Sequence, residues 1–245
     1  MTKAVAKKKD TPPSNVVDFA ADAGGGFEEA DKDSYAVPFV RILQSGSPQC
    51  KKSDGAYVKG AEEGAIFNTA TGEIMESLDV IPCHYRRVFV EWIPQDEGGG
   101  FVAEHSVDEA RDIPLDENYR MENGHELADT RMHYCISAET GEPLVICMSS
   151  TQIKKSKNWM TVMQSIKVDR EDGSKFTPPM FSNSYKIETV PESNDKGSWF
   201  GWKITRNGFV EDGHLYQTAK AFRDMVVSGA TEVKHDDGFD EDVGF

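Results

Sequence analysis

Lysine and tryptophan meet in one short window: Lys154, Lys155, Lys157 and Trp159 fall within six residues, and no acid occurs between Thr151 and Val168. Sequence-independent capture of a nucleic-acid single strand needs this combination. Cations follow the phosphates, and aromatic planes stack bases at about 1–3 kcal/mol per base. The same pairing recurs at Tyr85, Arg86 and Arg87, and again at Trp199 with Lys203. Each cluster also has an ordinary structural reading: Trp159 is flanked by Met160 and Val162 and fits a core, and lysines on one helix face are commonly just solvated.

The C-terminus carries a second kind of chemistry. Residues 235–245 read HDDGFDEDVGF, with Asp236, Asp237, Asp240, Glu241 and Asp242 set around Phe239 and the terminal Phe245. So charged a segment buries too little apolar surface to offset the entropy of ordering it, which predicts a disordered tail from residue 230 onward. Acids steer encounter with a basic surface and a phenylalanine fills a pocket, so the tail reads as a recognition arm for an external partner or for a basic groove of the chain itself.

Catalytic and metal-binding patterns are weak. His133 and Cys135 with Cys147, and Cys83 with His84, match no structural zinc spacing, and strand cysteines are usually small core residues. No GxSxG, HExxH or P-loop occurs, and the Gly24–Gly26 and Gly98–Gly100 runs lack the Lys-Ser/Thr that phosphate cradling requires. The expectation is a protein that is not an enzyme and holds neither metal nor cofactor.

The elements that must position these residues follow from periodicity. Residues 37–43, broken by Pro38, suggest an extended edge element, and 65–68 a short strand before a Thr71-Gly72 turn. The strongest strand spans 78–93, rich in β-branched and aromatic residues. Residues 101–124 are polar and irregular, with one helical turn at most. A hairpin occupies 127–150, with Met132, Tyr134, Ile136, Leu144, Ile146 and Met148 towards the core and Arg131 and His133 away from it. A helix over 151–166, started by Ser149 and Ser150, places Ile153, Met160, Met163 and Ile166 on its apolar stripe. A second hairpin at 180–206 turns through 191–197, pointing Phe181, Tyr185, Ile187, Phe200, Trp202 and Ile204 inward and leaving Lys186, Trp199 and Lys203 on an open face. An amphipathic helix at 212–228 closes the body and stops at Gly229.

Strand, hairpin, helix, hairpin and closing helix describe a mainly β chain with helices. The expected fold is an elaborated OB-fold, a five-stranded Greek-key barrel; a generic β-sandwich is the alternative. The expected organisation is a disordered arm over 1–34, an OB-like domain over 35–229 and the acidic tail over 230–245. The net charge of −15 splits into −2 for residues 1–34, −5 from Thr231 onward and −8 for the body, so any nucleic-acid surface is a local patch. Four cysteines without a CxxC pair, no secretory leader and no apolar run of membrane length point to a reducing cytoplasm, that of the host cell if the chain is phage-encoded.

The lysine-bearing N-terminal arm, the β-rich body with exposed aromatics and the acidic tail ending on Phe245 together resemble the single-stranded DNA-binding proteins of tailed phages. VPFVRILQSGSPQ, IFNTATGE and VIPCHYRRVFVEWIPQ are similar to segments of phage replication-region proteins. The resemblance implies an oligonucleotide-binding fold that coats single-stranded DNA in replication, recombination or repair. It also implies a tail that contacts replication proteins such as a DNA polymerase and competes with DNA for the groove. Gly238, Val243 and Gly244 dilute the acidic run relative to that pattern. A homo-oligomer is compatible with all of this. Two other readings stay open: a phage structural or assembly protein that uses its β-domain for protein contacts, and an inhibitor that mimics DNA with its negative charge.

Overall fold

The computed structural model describes residues 37–195 and 197–230, with 25, 26, 28 and 29. The chain divides between residues 35 and 36, and the fold below is that of the second unit. The acidic tail, 231–245, and nearly all of the expected N-terminal arm lie outside the described residues. The first half contains β1 (Phe39–Ile42), β2 (Ile66–Asn68), β3 (Ile74–Met75), β4 (Ser77–Trp92), β5 (Phe101–His105), α1 (Val107–Arg111), β6 (Glu126–Ser137) and β7 (Pro143–Met148). There follow α2 (Ile153–Ser165), the two-residue pair β8 (Val168–Asp169) and β9 (Lys175–Phe176), the long hairpin β10 (Asn183–Asn194) and β11 (Gly197–Phe209), and α3 (Gly213–Val227).

Everything is arranged around β4, whose run of Val, Ile, Tyr, Phe and Trp fits a pleated surface covered on both sides. The sheet runs β11-β10-β4-β6-β7-β1-β2-β3, with β5 beside the far end of β4. Pairings are antiparallel except β1 with β7, where Phe39 and Val40 run parallel to Val145 and Ile146. The fold is therefore mainly β with a few helices and one large mixed sheet. Among the described residues no ladder closes it into a barrel.

Both faces of the sheet are buried. One carries Ile81, Cys83, Val88, Val90, Trp92, Met132, Tyr134 and Val145 beneath Ala219 and Phe222 of α3. The other carries Val80, Cys135, Ile146, Met148, Tyr185, Ile187 and Trp202 beneath Trp159 and Met163 of α2. A bulge between Pro82 and His84 explains how Ile81 and Cys83 share a face with Val88 and Val90: one extra residue reverses the alternation.

Several expectations are corrected here. β1 is an interior strand between β7 and β2, not an edge. In the first hairpin Tyr134 opposes Val145 and His133 opposes Ile146, so Met132, Tyr134 and Ile136 point to the face opposite Leu144, Ile146 and Met148. His133 and Arg131 do turn away from Tyr134, yet into the second core, at 0% and 8% exposure. The stripe on α2 is Ser156, Trp159 and Met163, rotated from the expected one, and no serine side chain caps the helix. β10 continues through Pro191 to Asn194, because that stretch lies beyond the residues paired with β4 and needs no donor on its outer side. The closing helix behaves as expected: Asp212 accepts from the His214 and Leu215 amides, and Gly229, at φ +70°, supplies the left-handed stop.

Candidate nucleic-acid interface

The β10–β11 hairpin and the first turns of α2 bring together residues some 50 positions apart. Between them runs a groove of 250 Å³, floored by Trp159, Tyr185 and Trp202 and rimmed by Lys155, Lys203 and Arg206. Two of the three expected clusters, the lysine window and the Trp199–Lys203 pair, thus converge on one place. Lys154 and Lys157 are exposed on the same helix, and among the described residues neither has an ion-pair partner.

Trp159 takes a role other than base stacking. At 2% exposure it stacks on His133 with ring centroids 4.6 Å apart and meets Tyr185 edge-on at 5.5 Å. Tyr85 continues the row, 5.3 Å from His133. Four rings therefore cross the inner face from β4 to β10, and they bind α2 to the sheet. Trp199 is the aromatic that remains half-exposed beside the lysines.

The third cluster divides. Tyr85 accepts from Arg131 at 2.9 Å, and Arg87 grips Asp129 through two bonds of 3.0 and 2.8 Å. Burial raises the Asp129 carboxyl, but the Arg87 and Arg131 guanidinium groups outweigh it and hold the group below the usual range. Arg86 points to the other face, towards the Tyr134 hydroxyl and Glu104, so it cannot share a track with its neighbours.

Carboxylates that sequence reading passed over sit among these cations. Lys155 pairs with Glu192 at 2.5 Å, and Glu188 bridges Lys186 at 2.8 Å and Lys203 at 3.2 Å. Trp199 Nε1 donates to Glu192 at 3.1 Å. Glu192 is held below the ordinary carboxylate range: burial opposes ionisation, while Lys155, Trp199 and Gln152 together favour it more strongly.

A second polar cluster also escaped the sequence. Glu91, buried on β4, receives His105 at 2.8 Å on one oxygen and His125 at 2.6 Å and Asn123 at 3.2 Å on the other. Burial raises its carboxyl and the three bonds lower it by more, leaving it ionised and clasping the 112–125 loop to the sheet. Residues 91, 105 and 125 follow no spacing rule, so only folding brings them together. Among the described residues no group of three or more His, Cys, Asp and Glu is disposed to hold a metal ion. Cys83 and Cys135 are buried thiols, Cys83 pushed up to about 12 by desolvation. His133 bonds Ser156 at 2.8 Å, sealed from solvent, and burial with the nearby Arg131 depresses it to about 3. A neutral, enclosed imidazole of this kind ties α2 to β6.

The fold and site define a mixed-sheet protein with a small helical cap and a lysine-rimmed groove beside its last hairpin. The chain belongs to the Pam3 phage gp34-like protein family, whose model matches residues 6–232, and it is thereby a bacteriophage protein. No curated protein and no solved structure matches it. Among the described residues no helix is long and apolar enough to cross a membrane.

Proposed function

We propose that the protein binds single-stranded DNA, without strong sequence preference, in phage DNA replication, recombination or repair. The observation that carries this reading is a groove rimmed by Lys155, Lys203 and Arg206, with Lys154 and Lys157 exposed on the same helix and Trp199 on the same hairpin, in a chain whose overall charge is −15. Counting Lys186 with Lys154, Lys155, Lys157, Lys203 and Arg206, six cations stand around two carboxylates, Glu188 and Glu192, so the patch is locally positive although the molecule is not.

The chain order supports the finer fold reading too. β4, β6 and β7 form a meander, α2 follows, and the β10–β11 hairpin returns so that β10 lies against β4. That order is compatible with an OB-fold opened on the β11 side, with β7 pairing with β1 instead. There Gln44 bonds both the amide and the carbonyl of Phe200, at 2.8 and 2.9 Å, and Gln152 accepts from the Trp202 amide at 2.9 Å. Two side-chain amides stand where a neighbouring strand would have been. In this reading the tail, from Asp236 to Phe245, recruits replication proteins and competes with DNA for the groove.

A second reading, a phage assembly protein working through protein contacts, is favoured by one observation: Lys155, Lys203, Arg86 and Arg87 are already paired with carboxylates. Oligo(dT) retardation at low salt separates the two. The expected result is binding that weakens steeply with salt through counterion release, and that a Lys154/Lys155 double alanine weakens further. A full-length protein that retards no single strand at low salt ends the DNA reading.

A further inference from the structure

The Glu192 carboxylate rests in a nest of donors contributed by three separate elements. Lys155 of α2 approaches one oxygen at 2.5 Å. Trp199 Nε1 of β11 reaches the other at 3.1 Å, and Gln152 Nε2 reaches the same oxygen at 3.4 Å. Gln152 is aimed there because its own oxygen is held by the Trp202 amide. The space exists only because residue 201 is glycine: a Cβ at Gly201 would lie 2.3 Å from the carboxylate oxygen. Glu192 itself belongs to the stretch of β10 that extends past β4 and pairs there with β11, opposite Trp199.

One cation and two neutral N–H donors converging on two oxygens form a set that accepts a phosphate as readily as a carboxylate. We propose that this nest is a phosphate site, occupied in the free protein by Glu192 and surrendered to a backbone phosphate of the bound strand. The identity of the strand rests on the function proposed above; the anion site does not. Glu192 then acts as a built-in competitor. It keeps Lys155, Gln152 and Trp199 arranged for an anion, and it sets a threshold that isolated phosphates do not pass and a polyanion does.

Three single variants and one double variant test this against oligo(dT) and against tripolyphosphate, read by tryptophan emission at low salt, with thermal midpoints recorded to confirm folding. Glu192→Gln removes the occupant. Gly201→Ala fills the space itself, against Glu192 and a phosphate alike, and crowds Gln152 Nε2, while leaving the charge on the chain. Glu188→Gln removes an equal charge from the same hairpin face, where only the two lysines contact it.

Glu192→Gln is expected to bind oligo(dT) roughly fivefold to tenfold tighter than wild type and to gain tripolyphosphate binding, because a charge-assisted anion site is uncovered, whereas Gly201→Ala, which fills that site, is expected to gain no tripolyphosphate binding. Glu188→Gln is expected to gain less, and adding Lys155→Ala to Glu192→Gln to abolish the gain. If Glu192→Gln binds tripolyphosphate no better than wild type or Glu188→Gln does, the proposal is overturned, even where wild type binds oligo(dT). If Glu192→Gln gains tripolyphosphate but neither it nor wild type binds oligo(dT), the anion site stands and the single-strand reading falls.

Discussion

Burial decides what each aromatic and each titratable side chain can do. Trp159 and Trp199 occupy similar lysine-rich surroundings in the sequence, yet one is core and the other half-exposed. Trp159→Ala should therefore destabilise the fold by about 3–5 kcal/mol, the cost of emptying a buried aromatic site. Trp199→Ala should leave the urea midpoint nearly unchanged and weaken oligo(dT) binding. Equal midpoint losses in the two variants would contradict this division. His133 makes a pH prediction. The unfolded chain takes up a proton near the ordinary 6.5, whereas the folded imidazole resists protonation down to about 3. The group costs nothing above pH 6.5 and destabilises progressively as pH falls below it. Between pH 6.5 and 4.5, before the depressed carboxylates titrate, the loss should reach about 2–3 kcal/mol at roughly 1.4 kcal/mol per unit. Urea denaturation of wild type and His133→Gln across that window checks it: the variant's stability should vary less.

At the scale of elements, the open seam is the feature to probe. Gln44 satisfies both outward backbone groups of Phe200, and the Phe200 ring lies over Gly64, where an added Cβ would sit 2.5 Å from the ring. Gly64 also has φ +83°, a conformation other residues adopt with strain. Gln44→Ala strands an amide and a carbonyl on β11, at an expected cost of about 1–3 kcal/mol. Hydrogen exchange should quicken at Phe200 and stay slow in β4 and β6. Uniform quickening would mean that Gln44 serves the whole fold, not the seam. The strong elements, β4, the two hairpins, α2 and α3, were legible because periodicity is local. Their facing was not: the bulge at Pro82 to His84 reverses half of β4, and the register of Tyr134 against Val145 sends the two strands' even-numbered residues to opposite cores.

For the whole molecule the decisive quantity is where charge sits. Lys154, Lys155 and Lys157 of α2 stand beside Lys186, Lys203 and Arg206 of the last hairpin, while the carboxylates paired with them, Glu188 and Glu192, leave a local excess of cations. If the tail competes for that patch, deleting residues 236–245 should tighten oligo(dT) binding at low salt, with the gap to the full-length protein closing as salt is raised. Fluorescence titrations of the two forms at several salt concentrations check this. A tail deletion that binds no tighter at any salt removes the competition and leaves the tail to external partners.

The sequence by itself determined the element types, the mainly β class, the lysine window and the acidic, phenylalanine-ended tail, since each depends on neighbours a few residues apart. Only the tertiary structure decided which faces are core, that Trp159 is sealed while Trp199 is open, and that Glu91 gathers His105 and His125. It alone seats Glu192 among Lys155, Gln152 and Trp199 over a glycine. Those are contacts between residues tens of positions apart, created by strand register, one bulge and the return of the last hairpin against β4, and none leaves a spacing that can be read along the chain.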